Sequence, residues 1–348
     1  MSKADAARPR AVIYGCAGPS LGADEARFFR DADPYGFILF QRNCRTPDQV
    51  RALVEALRST VGRADAPVLI DQEGGRVARL KPPHWRAAPP AAVFGALAEV
   101  SIEDARRAVR LNARLLAAEL IELGIDVDCA PVLDVPVEGS HDVIGDRAFG
   151  RDPALVADLG RAAVEGFLEG GVIPVVKHVP GHGRATADSH LDLPVVDADR
   201  ATLEATDFLP FRRLNDAPWA MTAHVLYRAI DPGAAASVSP RVVGDVIRGH
   251  IDFDGVLLSD DLSMKALSGG FGDRARAVLA AGCDLVLHCN GDRAEMAAIA
   301  EAIGPLSDDA VRRLARADAR RARPGRLDRV AMLDELASLL DRPRLARR

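Results

Sequence analysis

Within fourteen residues, from Lys177 to His190, the chain places a lysine, three histidines and an aspartate: Lys177, His178, His182, Asp188 and His190. The apolar run Gly171-Val172-Ile173-Pro174-Val175-Val176 precedes them and reads as a buried strand. A buried strand thus ends in a cation and a histidine and opens into a loop rich in glycine and proline. Leaving such groups buried without partners is costly, so they are expected to touch a ligand or one another. Gly181 and Gly183 flank His182, which calls for a sharp bend or a close backbone approach. Asp188 and His190 stand two apart, close enough for the carboxylate to bond an imidazole nitrogen. That contact fixes the tautomer and raises the basicity of the ring, as a proton shuttle near neutral pH requires. In a solvated loop the same pair would be inert.

A second candidate carboxylate follows the apolar run Gly255-Val256-Leu257-Leu258, in Ser259-Asp260-Asp261-Leu262-Ser263-Met264. It could serve as nucleophile, general base or metal ligand, or merely cap the next helix. Two adjacent acids on a strand are not expected to face one site. The chemistry is assigned to Asp260, the first of the two, and a cap-like role to Asp261. Asp71 and Arg79, eight apart across Gly74-Gly75, could hold the hydroxyls of a polar ligand, and Arg147 could do the same or pair locally with Asp146. His178, His182 and His190 could instead form a metal cluster with Asp188 or Asp260, although neither H-x-H nor H-E-x-x-H spacing supports it.

The elements that must position these groups recur as one unit. Short apolar strands are expected at Ala11–Tyr14, Gly36–Phe40, Pro67–Ile70, Ile125–Ala130, Val172–Val176, Trp219–Thr222, Gly255–Leu258 and Asp284–Leu287. Helical patterns separate them: Ala23–Asp31, Thr46-capped Pro47 to Val61, Ser101–Leu123, Asp152–Glu169, Ala201–Leu214, Pro240–Ile251, Arg274–Ala281 and Arg293–Ile303. Residues 81–92 are rich in proline and read as loop. Strands alternating with helices imply a parallel sheet, and eight of them match a closed (β/α)8 TIM-type barrel, an α/β fold. Asp71, Asp134, Lys177, His178, His224, Asp260 and Asn290 all fall just after strands, the face where such barrels keep their active sites. An open doubly wound sheet would carry a glycine-rich phosphate fingerprint, which is missing. The expected organisation is a tail at 1–10, a single catalytic barrel at 11–304 and a helical extension at 305–348. Two amphipathic helices, Val311–Arg323 and Val330–Leu340, are expected in the extension. Its acids and arginines are interspersed, which suits salt-bridged helices packed on the barrel.

Composition narrows the function. Apolar residues make up 48%, enough for a large core, and the net charge of −5 argues against a nucleic-acid binder. The five cysteines, Cys16, Cys44, Cys129, Cys283 and Cys289, form no C-x-x-C pair, so neither disulfides nor a zinc site is expected and a reducing cytoplasm fits. No run is long enough for a signal-peptide core or a membrane span.

The segment Lys177 to His190 fits the pattern K-H-[apolar]-P-G-H-G-x4-D-S-H. It resembles the signature of the bacterial β-N-acetylglucosaminidases of glycoside hydrolase family 3, single-domain cytoplasmic enzymes of peptidoglycan recycling. Asp71-Gln72-Glu73-Gly74-Gly75-Arg76-Val77-Ala78-Arg79, Ala130-Pro131-Val132-Leu133-Asp134-Val135, Ile144-Gly145-Asp146-Arg147-Ala148-Phe149-Gly150 and the Asp260 segment agree in order. Val179 stands where that family more often has phenylalanine or isoleucine. The resemblance implies a barrel and a retaining, cofactor-free hydrolysis of terminal β-linked N-acetylhexosamine. It gives Asp260 as nucleophile and His190 as acid/base oriented by Asp188, with Asp71, Arg79, Arg147, Lys177 and His178 holding the N-acetylglucosamine. It also implies a small muropeptide substrate, with roles in cell shape and division; a monomer, with no nucleic-acid or membrane partner, is expected. A histidine acid/base keeps a second negative charge away from Asp260, and the loop glycines suit a lid. The same feature would admit phosphate in place of water, so a glycoside phosphorylase is the first alternative. A metal-dependent barrel hydrolase and a non-catalytic sugar-binding barrel are the others.

Overall fold

The computed structural model describes residues 8–185, 192–322, 325 and 327–346, with side chains through Asp341. Eight parallel strands close into a barrel: β1 (Arg10–Gly15), β2 (Pro34–Leu39), β3 (Val68–Ile70), β4 (Val127–Asp128), β5 (Ile173–Val179), β6 (Trp219–Thr222), β7 (Val256–Asp261) and β8 (Leu285–His288). Each pairs with the next in sequence, and β8 returns to β1 with Val12 opposite Val286 and Ile13 opposite Leu287. The expected (β/α)8 architecture is the one observed.

The barrel follows from a two-residue alternation along nearly continuous apolar strands. Ile13, Ile38, Leu69, Val127, Ile173, Val175, Trp219, Met221, Val256, Leu258, Leu285 and Leu287 pack together inside. Their neighbours Val12, Tyr14, Phe37, Leu39, Val68, Ile70, Val176, Ala220, Leu257 and Val286 pack outward among the helices. Helix entries are set by local chemistry. The Thr46 hydroxyl accepts from the Gln49 amide with Pro47 in the first turn of Pro47–Val61, and the Ser101 hydroxyl caps Ile102–Glu122 in the same way.

Four local expectations change. The helix expected over Ala201–Leu214 is two, Arg200–Ala205 and Leu209–Arg213. Pro210 cannot continue the first, because its ring would meet the carbonyl four residues back. The loop at 81–92 ends early, since the small residues of Ala91–Ala98 coil into a helix. The helix expected over Pro240–Ile251 winds wide over Val242–His250, with Ile251 N donating to Val246 O. Strand β5 runs on through Val179, so Lys177 and His178 belong to the strand rather than to the loop.

Below the strands, the helix Asp308–Asp318 sits against the barrel interior. Leu306, Ala310, Leu314 and Ala317 join the inner cluster of barrel side chains. Its arginines reach acids at the strand starts. Arg313 bonds Asp254 at 3.0 Å and Asp284 at 2.8 Å, and Arg316 bonds Asp254 at 2.9 Å. Backbone bonds from Ala11 to Gly304 and from Leu306 to Pro9 lace this segment to β1. No helix among the described residues is long and apolar enough to cross a membrane.

Candidate active site

The inward register of three strands continues past the apolar layers. Leu69 points inward, so Asp71 and Glu73, two and four residues on, fall on the same side; Val175 sets Lys177, and Leu258 sets Asp260. All four line a cavity of about 350 Å³ at the C-terminal mouth, together with Arg79, Arg147, His178 and His182. Phe40, Met221, Met264 and Leu287 supply its apolar wall. The register of β5 on β6 slips between Lys177 and Val179, and that of β7 on β8 between Leu258 and Asp261. Such bulges break the alternation and re-aim side chains. They let Lys177 and His178, and likewise Asp260 and Asp261, line one cavity although each pair is adjacent in sequence.

Five of these side chains form a chain of alternating charge. Arg79 donates to Asp71 Oδ2 at 2.9 Å, and Lys177 Nζ donates to Asp71 Oδ1 at 2.8 Å. Lys177 Nζ also reaches Glu73 Oε1 at 2.7 Å, and Arg147 clasps Glu73 through Nε at 2.9 Å and a terminal nitrogen at 2.8 Å. Burial opposes charge on Asp71, Glu73, Lys177 and Arg147, but the neighbours overcome it. Lys177 with Arg79 holds Asp71 below the usual carboxylate range, and Lys177 with Arg147 does the same for Glu73. The two carboxylates in turn hold the buried Lys177 above its usual value. The local Arg147–Asp146 pair is not formed, because Asp146 is taken by Arg76 at 2.8 Å. Arg76 also donates to the carbonyls of Asp142, Val143 and Ile144, drawing the 142–147 loop over the mouth.

Beside the chain, Asp128 on β4 accepts from the Gln72 amide at 3.0 Å, while its other oxygen is buried without a hydrogen-bond partner among the described residues. Burial first, then Asp71 and Glu73, push its carboxyl up to about 8, so it is mostly protonated at neutral pH. Gln72 turns away from the cavity and ties the hairpin, accepting from the Arg79 and Leu80 amides and donating to Leu80 O.

Asp134 lies fully buried behind the mouth and accepts three hydrogen bonds: from the His178 amide at 3.2 Å, from His178 Nδ1 at 2.7 Å and from the His182 amide at 2.6 Å. Burial opposes its charge, yet His178 and these bonds keep it below the usual range. With Nδ1 committed to Asp134, Nε2 of His178 is the ring atom left to act on a ligand. His182 is held neutral, pushed down to about 4 by burial and then by His178.

At the end of β7 the two acids divide. Asp261 accepts from the Ser263 amide at 3.0 Å, from the Ser263 hydroxyl and from the Cys289 amide at 3.1 Å, so its carboxylate stitches the strand ends. Asp260 Oδ1 accepts from the adjacent Asp261 amide at 2.8 Å, and its side chain lines the cavity. Besides Asp134, two of the strand-end polar residues lie apart from the cavity lining. His224 is buried between Ser237 Oγ at 2.6 Å and Asp261 O at 3.0 Å, and burial keeps it below the usual histidine range. Asn290 is exposed and bonds Glu295 and the Asp292 amide at a helix start.

The glycines beside His182 are locked rather than hinged. Gly181 has φ 142° and its carbonyl accepts from the Tyr227 hydroxyl; a Cβ on Gly183 would lie 2.1 Å from Val135 O. What approaches closely is the chain's own backbone. Arg184 then bonds Asp207 at 2.6 Å and Thr206 at 2.9 Å. Asp188 and His190 lie outside the described residues, and so does part of the His178–His182–His190 cluster.

Two residues were quoted in motifs but given no role in the site: Glu73 and Asp134. The signal for Glu73 was its two-residue spacing from Asp71, which puts both acids on one side of an extended segment. For Asp134 it was its place after a strand, which marks an orienting group as readily as a reacting one.

Comparisons with known proteins show relatives in sequence and fold. A β-hexosaminidase from Alkalilimnicola ehrlichii is 42% identical over 80% of either chain, and one from Methylococcus capsulatus is 41% identical over 92% of this chain and 94% of its own. The structure of NagZ from Neisseria gonorrhoeae in complex with N-trifluoroacetyl-D-glucosamine superposes with a TM-score of 0.85 at 31% identity, covering 96% of this chain and 98% of that one. The model of the glycosyl hydrolase family 3 N terminal domain matches residues 23–317, and the chain belongs to that family.

Proposed function

We propose that this chain is a retaining exo-β-N-acetylglucosaminidase. The observation that carries the reading is the convergence of Asp260, His178 and the alternating charge chain on one cavity at the mouth of a family 3 barrel. Asp260 attacks the anomeric carbon of a terminal β-linked N-acetylhexosamine, the leaving oxygen departs with a proton, and a covalent glycosyl-enzyme forms; water then gives a proton to the same base and attacks the anomeric carbon, breaking the ester and freeing Asp260. His190, oriented by Asp188, gives and later takes the proton. Asp71, Arg79, Lys177, Arg147 and His178 hold the sugar hydroxyls and acetamido group, with charge-assisted hydrogen bonds that fix its orientation. The names of the relatives at about 40% identity support the sugar assignment. A cytoplasmic monomer acting on N-acetylglucosamine-bearing muropeptides, with downstream effects on cell shape and division, is the biological setting this reading favours.

The test is nitrophenol release from 4-nitrophenyl β-N-acetylglucosaminide, beside the β-glucoside, with and without EDTA and phosphate. Turnover of the N-acetyl substrate, indifferent to both additives, is the expected result. Loss with EDTA would favour a metal-dependent hydrolase, and a sugar-1-phosphate product would favour the phosphorylase. His190→Ala should slow substrates with poor leaving groups by at least about a hundredfold and activated ones far less. Equal losses on both would remove His190 from the acid role.

A further inference from the structure

We infer that Glu73 is a positioning residue of the sugar site, the link that makes Asp71, Arg79, Lys177 and Arg147 act as one unit. The inference rests on the glycosidase reading above. Both Glu73 oxygens are occupied by protein cations, Oε1 by Lys177 and Arg147 and Oε2 by Arg147. Glu73 therefore acts through its neighbours and does not hold the sugar itself. Its neighbours come from separate parts of the fold: Lys177 from β5 and Arg147 from the 142–147 loop. Without Glu73, Lys177 still has Asp71. Among the described residues, Arg147 then keeps its 3.1 Å hydrogen bond to Val143 O and the more distant charges of Asp134 and Asp71, with Asp146 committed to Arg76.

Nothing behind the pair replaces the lost carboxylate. A second cavity, of about 40 Å³, lies on the other side of Glu73 and Arg147, lined chiefly by apolar groups such as Phe94, Leu116, Val132 and Phe149. Glu73 is the partition between this apolar space and the polar cleft. A guanidinium released from it would face either hydrocarbon or the open mouth, and its planar fork would lose the bidentate contact that fixes its plane. Charge points the same way. Three cations stand against two carboxylates in the chain, so removing Glu73 leaves Arg147 and Lys177 repelling each other across the sugar site.

The experiment compares wild type, Glu73→Gln, Glu73→Asp, Arg147→Ala and the Glu73→Gln/Arg147→Ala double variant on 4-nitrophenyl β-N-acetylglucosaminide, with thermal melts alongside. N-acetylglucosamine binding is measured by calorimetry on each. Glu73→Gln is expected to raise KM by about tenfold or more, with a smaller change in kcat. Arg147→Ala added to it should cost less than about twofold further, since the two act together. Glu73→Asp, which keeps the charge but loses reach, should recover part of the loss, and it carries the comparison if the amide variant fails to fold. Unchanged KM in folded variants, or additive losses, would overturn the positioning role. A wild type that binds N-acetylglucosamine without turning the substrate over breaks the glycosidase reading alone, and the Glu73 comparison then runs on Kd. A wild type that does neither overturns both.

Discussion

At the floor of the barrel, Asp126, Asp216, Asp254 and Asp284 are answered by arginines, many from the segment that follows the last strand. The floor acids also accept strand amides: Asp126 from Val68 at 2.8 Å and Asp284 from Leu257 at 2.9 Å. These pairs tie the strand starts to the helix beneath them. At the mouth, acids and bases are as densely paired, but their partners are strung in a row along a cavity wall. Asp71, Lys177 and Glu73 neutralise one another while still bordering the space a ligand would fill. The difference lies in direction. At the floor Asp126 and Asp284 turn to the amides that begin β3 and β7, whereas mouth charges continue the inward series beyond the point where apolar side chains stop.

This contrast breaks most sharply at Asp260. Asp260→Ala should lower kcat by about 10⁴-fold or more while leaving the melting temperature nearly unchanged. Asp261→Ala should do the reverse, losing stability with far smaller kinetic loss, because its carboxylate ties Ser263 and Cys289. Paired kinetics and melts decide, and an active Asp260→Ala would move the nucleophile elsewhere. At the floor, Asp284→Ala removes the carboxylate partner of Arg248, one of the two of Arg313 and the acceptor of the Leu257 amide, and should destabilise by about 3 kcal/mol. In denaturant titrations that loss should appear with kcat/KM of the folded protein unchanged; a kinetic defect instead would mean the two ends are coupled.

The last comparison concerns Asp128. Its carboxyl sits near 8 in the folded protein, above its value in the unfolded chain, so the folded state binds the extra proton between about pH 4 and 8. Stability from this group is therefore full at low pH and is lost as pH rises towards 8. Asp128→Asn should gain on wild type steadily from pH 5 to 8 and no further above it. Parallel melting curves over that range would show that Asp128 finds a partner for its charge.

Much of this was legible in the residues. The eight strands were visible because a fully buried parallel strand is apolar on both faces, and most helices because their caps and periodicity agreed. Asp71, Lys177 and Asp260 were found because polar residues ending apolar runs stand out. Glu73 was passed over because it stands one residue beyond Gln72, outside the strand as drawn, and only the continued register reveals its side. The apparent conflict between Asp260 and Asp261 came from assuming strict alternation, which a bulge in β7 removes. The glycines beside His182 were read as marking a bend or a close backbone approach, but sequence cannot say that it is Val135 and Asp207 that lie against them. The extension was read as salt-bridged helices packed on the barrel, but not as closing the floor, since that depends on pairing across most of the chain.

The floor helix also bears on how the molecule is made. Asp308–Asp318 follows all eight strands, yet its Leu314 and Ala310 pack among side chains from strands as early as β1. A nascent chain therefore emerges with an open-ended barrel whose lowest apolar layer stays wet until residue 318 or so has left the ribosome. Contacts spanning such separations form slowly, and partly closed barrels expose strand edges meanwhile. Truncation ahead of this helix should consequently be felt first in soluble yield from cells rather than in the chemistry of whatever folds.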